Sequence, residues 1–195
     1  MGTNCVKDVV TYGAELVASW GPLSFQAEYV GSHYDRNPAI IFWQRAPGDA
    51  TVDFNGFYAF ATWYLTGESR AESYRSYPEE FNNTATFSQI KILNPVSAGG
   101  WGAWELEARV SEINLNSGGF LVANIAPGFN NPPNIRNIQG GRQTDFNLGL
   151  TWYPETGIRF MASWVDVFQY SPPFNRPDLA GIHPQLFEMR AQVAW

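Results

Sequence analysis

The sequence predicts an all-β chain that forms the wall of an antiparallel transmembrane β-barrel, and three observations carry that prediction. Apolar and polar residues alternate with a period of two over most of the 195 residues, the pattern of strands with one apolar face. No apolar run approaches the roughly 18 residues that a membrane-spanning helix needs, Ile40–Trp43 and Phe120–Ile125 being the longest candidates. The connections between the alternating runs are short and long by turns, as in outer-membrane barrels.

The elements follow in order. Tyr12, Ala14, Leu16, Ala18 and Trp20 fall on one side of a first strand, and Gly13, Glu15, Val17 and Ser19 on the other. Gly21-Pro22 breaks the run. Leu23, Phe25, Ala27 and Tyr29 then alternate with Ser24, Gln26 and Glu28, completing a hairpin. A loop is expected from Gly31 to Ala50. Phe54–Thr66 is a third strand, apolar on both sides, so its register stays open. Gly67–Gly100 is long and irregular, with a helical turn expected at Pro78-Glu79-Glu80 because proline suits a first helical position. Its length interrupts the short-long rhythm. Trp104, Leu106, Ala108 and Val110 alternate with Glu105, Glu107, Arg109 and Ser111 in a fourth strand. After a polar loop over Asn116–Gly141, Phe146, Leu148, Leu150 and Trp152 alternate with Asp145, Asn147, Gly149 and Thr151. The turn Pro154-Glu155-Thr156-Gly157 leads into Ile158, Phe160, Ala162 and Trp164, which alternate with Arg159, Met161, Ser163 and Val165. A last strand, after the loop Tyr170–Pro184, sets Phe187, Met189, Ala191, Val193 and Trp195 against Glu188, Arg190, Gln192 and Ala194. The total is about seven strands of 9–16 residues. Tyr12, Trp20, Trp104, Trp152, Trp164 and Trp195 stand near strand ends on the apolar side, where aromatic residues suit a membrane interface.

Composition narrows the function classes. The formal charge of −6 gives no electrostatic footprint for nucleic acid. Aromatic residues at 16% exclude a disordered chain, and charged residues at 15% fall well below the roughly 25% of average soluble domains. Cys5 is the only cysteine, so no intrachain disulfide forms. Met1–Asp8 has no charged start followed by an apolar core, so it is not read as a signal peptide.

Several runs carry a resemblance. Trp63-Tyr64-Leu65-Thr66-Gly67-Glu68-Ser69-Arg70, Gly102-Ala103-Trp104-Glu105-Leu106-Glu107-Ala108-Arg109 and Gly21-Pro22-Leu23-Ser24-Phe25-Gln26-Ala27-Glu28-Tyr29 each resemble strand segments of the phosphate-selective porin O and P family. So do Leu148-Gly149-Leu150-Thr151-Trp152-Tyr153-Pro154 with Ile158-Arg159-Phe160-Met161, and Arg190-Ala191-Gln192 of the last strand. The resemblance implies a roughly 16-stranded barrel in the outer membrane of a Gram-negative-type bacterium, a homotrimer when full length, passing small anions or other small solutes across the lipid bilayer. It implies that residues 1–195 are one domain, the C-terminal half of such a barrel, with the N-terminal half absent. The long excursion after the Leu65-Thr66-Gly67-Glu68 run also looks like a family trait.

With the apolar sides toward lipid, the alternate positions line the lumen. The expected pore-lining charges are Glu15, Glu28, Glu105, Glu107, Arg109, Asp145, Arg159, Glu188 and Arg190, with Gln26, Asn147 and Gln192 among them. Anion-selective pores need rings of Arg and Lys. Acids outnumber bases here, which does not support anion selectivity. Basic residues expected in loops are Arg36, Arg45, Arg70, Arg75, Lys91, Arg136, Arg142 and Arg176. The structural reading of the wall charges is bracing by opposite charges on neighbouring strands, among Arg109, Asp145, Arg159, Glu188 and Arg190. Glu68 and Arg70 are expected to anchor a local turn. His33 and His183 fall in expected loops, and no metal-ligand spacing, nucleophile constellation or phosphate loop occurs, so no catalytic residue, metal or cofactor is expected. The alternative is a soluble β-sandwich carbohydrate-binding or glycoside-hydrolysing domain, with Glu105 and Glu107 as its carboxylates.

Overall fold

The computed structural model describes residues 6–36, 51–76, 85–117, 122–123, 134–135, 138–173 and 176–194. Eleven strands are found among them: β1 (Val6–Trp20), β2 (Leu23–Arg36), β3 (Thr51–Tyr64), β4 (Tyr74–Ser76), β5 (Ala85–Phe87), β6 (Ala103–Ser117), β7 (Val122–Ala123), β8 (Asn134–Ile135), β9 (Ile138–Glu155), β10 (Ile158–Ser171) and β11 (Gln185–Val193). Seven form one sheet in the order β1-β2-β3-β6-β9-β10-β11, while β4 pairs with β5 and β7 with β8 in separate two-stranded ribbons. Every neighbouring pair in the large sheet is antiparallel. The long strands run up and down without a crossover in a single layer, whereas a sandwich needs two sheets packed face to face.

Two hairpins are as tight as expected. Gly21 opens the β1–β2 turn with φ 54° and Gly157 closes the β9–β10 turn with φ 84°, a region open to glycine at little cost. At Gly157 a Cβ would also stand 2.4 Å from the Ala194 carbonyl oxygen. The β3–β6 connection leaves the sheet at the same end as these turns, at Leu65 and Gly102, and it is long as expected. The expected helical turn at Pro78-Glu79-Glu80 lies outside the described residues, as do Arg45, Arg136 and Trp195.

Strands extend beyond the alternating runs at the opposite, long-loop end. β2 continues to Arg36, which carries His33 on a strand rather than in a loop, and β9 begins at Ile138, which does the same for Arg142. β6 continues to Ser117 and β10 to Ser171. Period-two alternation needs contrasting surroundings on the two faces. Backbone pairing persists where both faces are polar, so the ladder outlasts the pattern. This extension also leaves Trp164 in mid-strand rather than near a strand end.

Register fixes the faces, because directly opposed residues share one. The chain of partners Ala18↔Phe25↔Ala61↔Ala108↔Leu148↔Trp164↔Phe187 crosses all seven strands on one face. That face is apolar and open: Leu106, Leu148, Leu150, Phe160 and Trp164 are 37–45% exposed. At the short-turn end it carries a row of rings. Trp104 stacks on Trp152 at 5.7 Å and Trp152 on Phe160 at 5.6 Å. The indole N–H groups of Trp152 and Trp104 both donate to the Trp101 carbonyl, at 2.9 and 3.3 Å. Higher up, the Tyr12 ring lies over Gly31, whose missing side chain leaves room for it. Beyond these rings the same face turns polar. Glu112 accepts from Arg142 at 2.7 Å and from Thr144 at 3.2 Å, and His33 Nδ1 lies 2.6 Å from Asp53 Oδ1.

Candidate functional site

The opposite face gathers the residues the alternation assigned to a lumen. Glu15 opposes Glu28, Glu107 opposes Thr62, Arg109 opposes Phe60, and Ser111 opposes both Tyr58 and Asp145. Glu188 opposes Ser163, Arg190 opposes Met161, and Arg159 opposes Gln192. Glu105 stands between Tyr64 and Thr151. All nine expected charges therefore lie on one face of one sheet. The third strand, left open by sequence, sets Tyr58, Phe60, Thr62 and Tyr64 on this face and Phe57, Ala59, Ala61 and Trp63 on the other.

Hydrogen bonds tie the polar face together, each with at least one neutral partner. Ser24 and Thr62 share a buried bond at 2.7 Å. Gln26 donates to Tyr58 at 2.8 Å and to Glu15 at 3.3 Å. Ser111 donates to Asp145 at 2.8 Å. The Arg109 guanidinium sits over the Tyr58 ring, 4.9 Å from its centre, a cation–π arrangement. Arg159 gives two N–H groups to Gln192 Oε1, at 3.1 and 2.8 Å. Bracing among the five charges expected to pair is thus not found on this face, whereas Glu112 and Arg142 do pair across β6 and β9 on the other. Arg109, Asp145, Arg159, Glu188 and Arg190 make no ion pair with one another; Tyr58, Ser111 and Gln192 engage Arg109, Asp145 and Arg159 instead.

The described parts of the connection between β3 and β6, residues 65–76 and 85–102, turn back over this face at the short-turn end. Its 3-10 turn, Arg70–Ser73, packs against β1 and β2. Glu68, 2% exposed, anchors the start of the segment as expected, accepting from Thr66 Oγ1 and, at 3.2 Å, from the Leu93 N–H. Further along, the Ser97 N–H donates to Glu155 and the Gly102 N–H to the Asn94 carbonyl at 2.8 Å. Arg70 does more than hold a turn. It reaches across to the wall, with its guanidinium 5.7 Å from the Phe60 ring centre and Nη1 3.7 Å from Glu105 Oε1.

Between the segment and the wall lies a cavity of about 460 Å³. Glu105, Glu107, Tyr153, Arg70 and Arg159 line it, with Ile90, Ile92 and Met161 supplying apolar wall. Glu105 is 2% exposed. Its Oε2 accepts from the Tyr153 hydroxyl at 2.7 Å, and its Oε1 has no hydrogen-bond donor among the described residues. Glu107 accepts from Thr151 at 3.1 Å. Of the expected residues, the structure brings Glu105, Glu107 and Arg159 together here. Glu15 and Glu28 form a second acidic pair on β1 and β2, while Arg109 and Asp145 lie farther along β6 and β9, and Glu188 and Arg190 stand on the edge strand β11. Tyr153 was legible by extending the fifth-strand alternation by one step. Tyr64 and Arg70 were not, since one needed the open register and the other the inward path of the segment.

Of the loop bases expected from sequence, Arg176 lies in a loop paired with Asp178 at 3.0 Å and Lys91 is exposed on the inward segment. Arg36 ends β2, and Arg75 lies on β4.

No curated protein matches the chain. The family model described as phosphate-selective porin O and P matches residues 2–195, nearly the whole chain. An exposed apolar face banded with rings, a charged face behind it and this match agree: the chain belongs to the phosphate-selective porin O and P family of outer-membrane channels.

Proposed function

We propose that the polar face of the seven-stranded sheet lines a water-filled channel for passive diffusion of small solutes, with Glu15, Glu28, Glu105, Glu107, Arg109, Asp145, Arg159, Glu188 and Arg190 bordering the solute path. The observation that carries this reading is the segregation of side chains. Every one of these charges shares one face, while the reverse face exposes Leu, Phe and Trp side chains to their surroundings. Lipid is the medium that makes an exposed apolar band favourable. The short turns then face the periplasm and the long connections the exterior.

The edges support a larger assembly. Among the described residues, β1 and β11 each have a partner on one side only, and unpaired backbone groups are costly in hydrocarbon. We read the sheet as part of a closed barrel whose further strands pair with these edges. The trimer implied by the family resemblance belongs to the same proposal and is read by chemical crosslinking in detergent.

The wall chemistry argues against preference for anions along this stretch. Acids outnumber bases on the polar face, and Arg109 and Arg159 are engaged by Tyr58 and Gln192. Reconstitution of the full-length protein in planar bilayers tests the proposal. The expected result is stepwise ohmic conductance whose reversal potential in a salt gradient shows no anion preference. Protein that stays soluble without detergent and gives no conductance overturns the reading in favour of a soluble domain.

A further inference from the structure

We propose that the inner face of β3 is a stacking track for neutral oligosaccharides, on which Phe54, Tyr58 and Phe60 meet the apolar faces of the sugar rings while polar side chains of β2 and β6 hold their hydroxyls. The inference rests on the channel reading and names the class of solute that the path conducts.

The placement of the rings is the observation that carries it. Phe54, Tyr58, Phe60 and Tyr64 all stand on the polar face of β3. The strands on either side are polar beside them: Tyr58 lies between Glu28 and Ser111, and Phe60 between Gln26 and Arg109. Gly56 interrupts the column between Val30 and Ile113, which keep that gap apolar. At the long-loop end Tyr34 of β2 stands edge-on to Phe54 at 5.6 Å. Tyr64 is 2% exposed and ends the column below, whereas Phe54, Tyr58 and Phe60 are only half-buried. From residue 54 to residue 60 the track runs roughly 20 Å at about 3.4 Å per residue, longer than one sugar ring and suited to a chain of them.

The solute class follows from what surrounds the rings. Gln26 brings amide donors and an acceptor, Glu15 and Glu28 bring acceptors, and Tyr58 and Ser111 bring hydroxyls that do both. Some of these groups already hold one another: Gln26 donates to Tyr58 at 2.8 Å and to Glu15 at 3.3 Å, and Ser111 donates to Asp145 at 2.8 Å. Those bonds fix the side chains and leave lone pairs free on the carboxylates. The Arg109 guanidinium, 4.9 Å from the Tyr58 ring centre, adds a planar fork of donors beside the column. A sugar ring needs this combination, because its hydroxyls both donate and accept around a C–H face that is favourably buried against an aromatic ring. A small anion would gain nothing from the rings and would pass Glu15, Glu28 and Asp145. An inorganic cation would meet Arg109, which already holds the Tyr58 ring.

The test is block of the ion current by maltotriose in planar bilayers holding the full-length protein. Sorbitol and inorganic phosphate are the controls, sorbitol carrying hydroxyls on an open chain with no ring face to stack. A saturable fall in current with maltotriose alone is expected. Tyr58→Ala should raise the half-blocking concentration roughly three- to tenfold, the loss of one aromatic contact, and Tyr58→Phe, which keeps the ring, should raise it less. Phe54→Ala carries the same test should Tyr58→Ala fail to fold. No block by maltotriose, equal block by sorbitol or phosphate, or an unchanged half-blocking concentration in a folded Tyr58→Ala or Phe54→Ala channel overturns the track. Calorimetric titration in detergent separates the two readings. Maltotriose binding that Tyr58→Ala weakens, in a protein that never conducts, defeats the channel and leaves the track standing. A conducting channel that maltotriose neither blocks nor binds defeats the track alone, and a protein that neither conducts nor binds defeats both.

Discussion

Leu106 and Glu107 are adjacent on β6, yet Leu106 is 41% exposed and Glu107 turns inward to take a hydroxyl from Thr151. The two faces of this sheet invert the usual soluble arrangement, in which apolar side chains are hidden and charges are wetted. Here the apolar side is open, and the most buried side chains include Glu68, Glu105 and Thr151. Burial by itself therefore does not mark the core of this protein. What distinguishes the faces is the medium each must meet, and the test of any position is which medium a new side chain would enter.

The sharpest way to break the comparison is an arginine on either side of the same strand. Leu148→Arg places a guanidinium on the open apolar face and is expected to cost about 2–4 kcal/mol near the bilayer midplane, read as a lowered urea midpoint for folding into lipid vesicles. Asn147→Arg, one residue away but facing inward opposite Arg109, is expected to shift that midpoint by about 1 kcal/mol or less, the cost of opposed like charges. Similar costs for the two would abolish the distinction between the faces. Next in size is Tyr153→Phe, which removes the hydroxyl on Glu105 and leaves a buried carboxylate with no donor on either oxygen. A loss of about 1–3 kcal/mol is expected. Trp152→Phe, on the other face, keeps the ring row and should cost less.

A smaller effect concerns the current rather than the fold. Reversing Arg109 and Arg159 to Glu should move the reversal potential toward cations while the unfolding midpoint changes little. An unmoved potential in a folded channel would remove both residues from the solute path. The smallest expected effect lies outside the sheet. The Arg176 guanidinium holds the Asp178 carboxyl below the usual aspartate range. A lowered value in the folded state favours folding above the ordinary aspartate pKa, and that contribution fades as pH falls through the lowered one. Both partners are more than half exposed, so Asp178→Asn should leave thermal stability unchanged, while NMR titration still reports the lowered carboxyl.

Much of this was legible in the chain. Alternation placed all nine wall charges on one face because lipid on one side imposes a strict period on every strand that crosses it. It failed at the upper ends of β2, β6, β9 and β10, where polar surroundings on both faces erase the period without breaking the backbone ladder. It also failed for β3, whose inward face carries Tyr58, Phe60 and Tyr64 beside outward Phe57 and Trp63, so that apolarity could not tell the two sides apart. The path of Leu65–Gly102 was illegible for a different reason. Its anchors, Glu68 to Leu93 and Ser97 to Glu155, join residues far apart in sequence, and no local pattern announces them. The likeness in the Trp63–Arg70 run pointed to an excursion without saying which way it turned.

That inward turn has a consequence for biogenesis. The β1–β2 and β9–β10 hairpins close through two-residue turns and need little search, whereas pairing β3 with β6 must first close the whole intervening loop. The entropic toll of closure grows only with the logarithm of loop length, so the delay is kinetic more than thermodynamic. A segment seated inside a wall must also be in place before that wall is completed, because afterwards it could enter only through the mouth. For a barrel closed as proposed, the expected order is local hairpins first, the seated segment with the β3–β6 seam next, and the outer edges last.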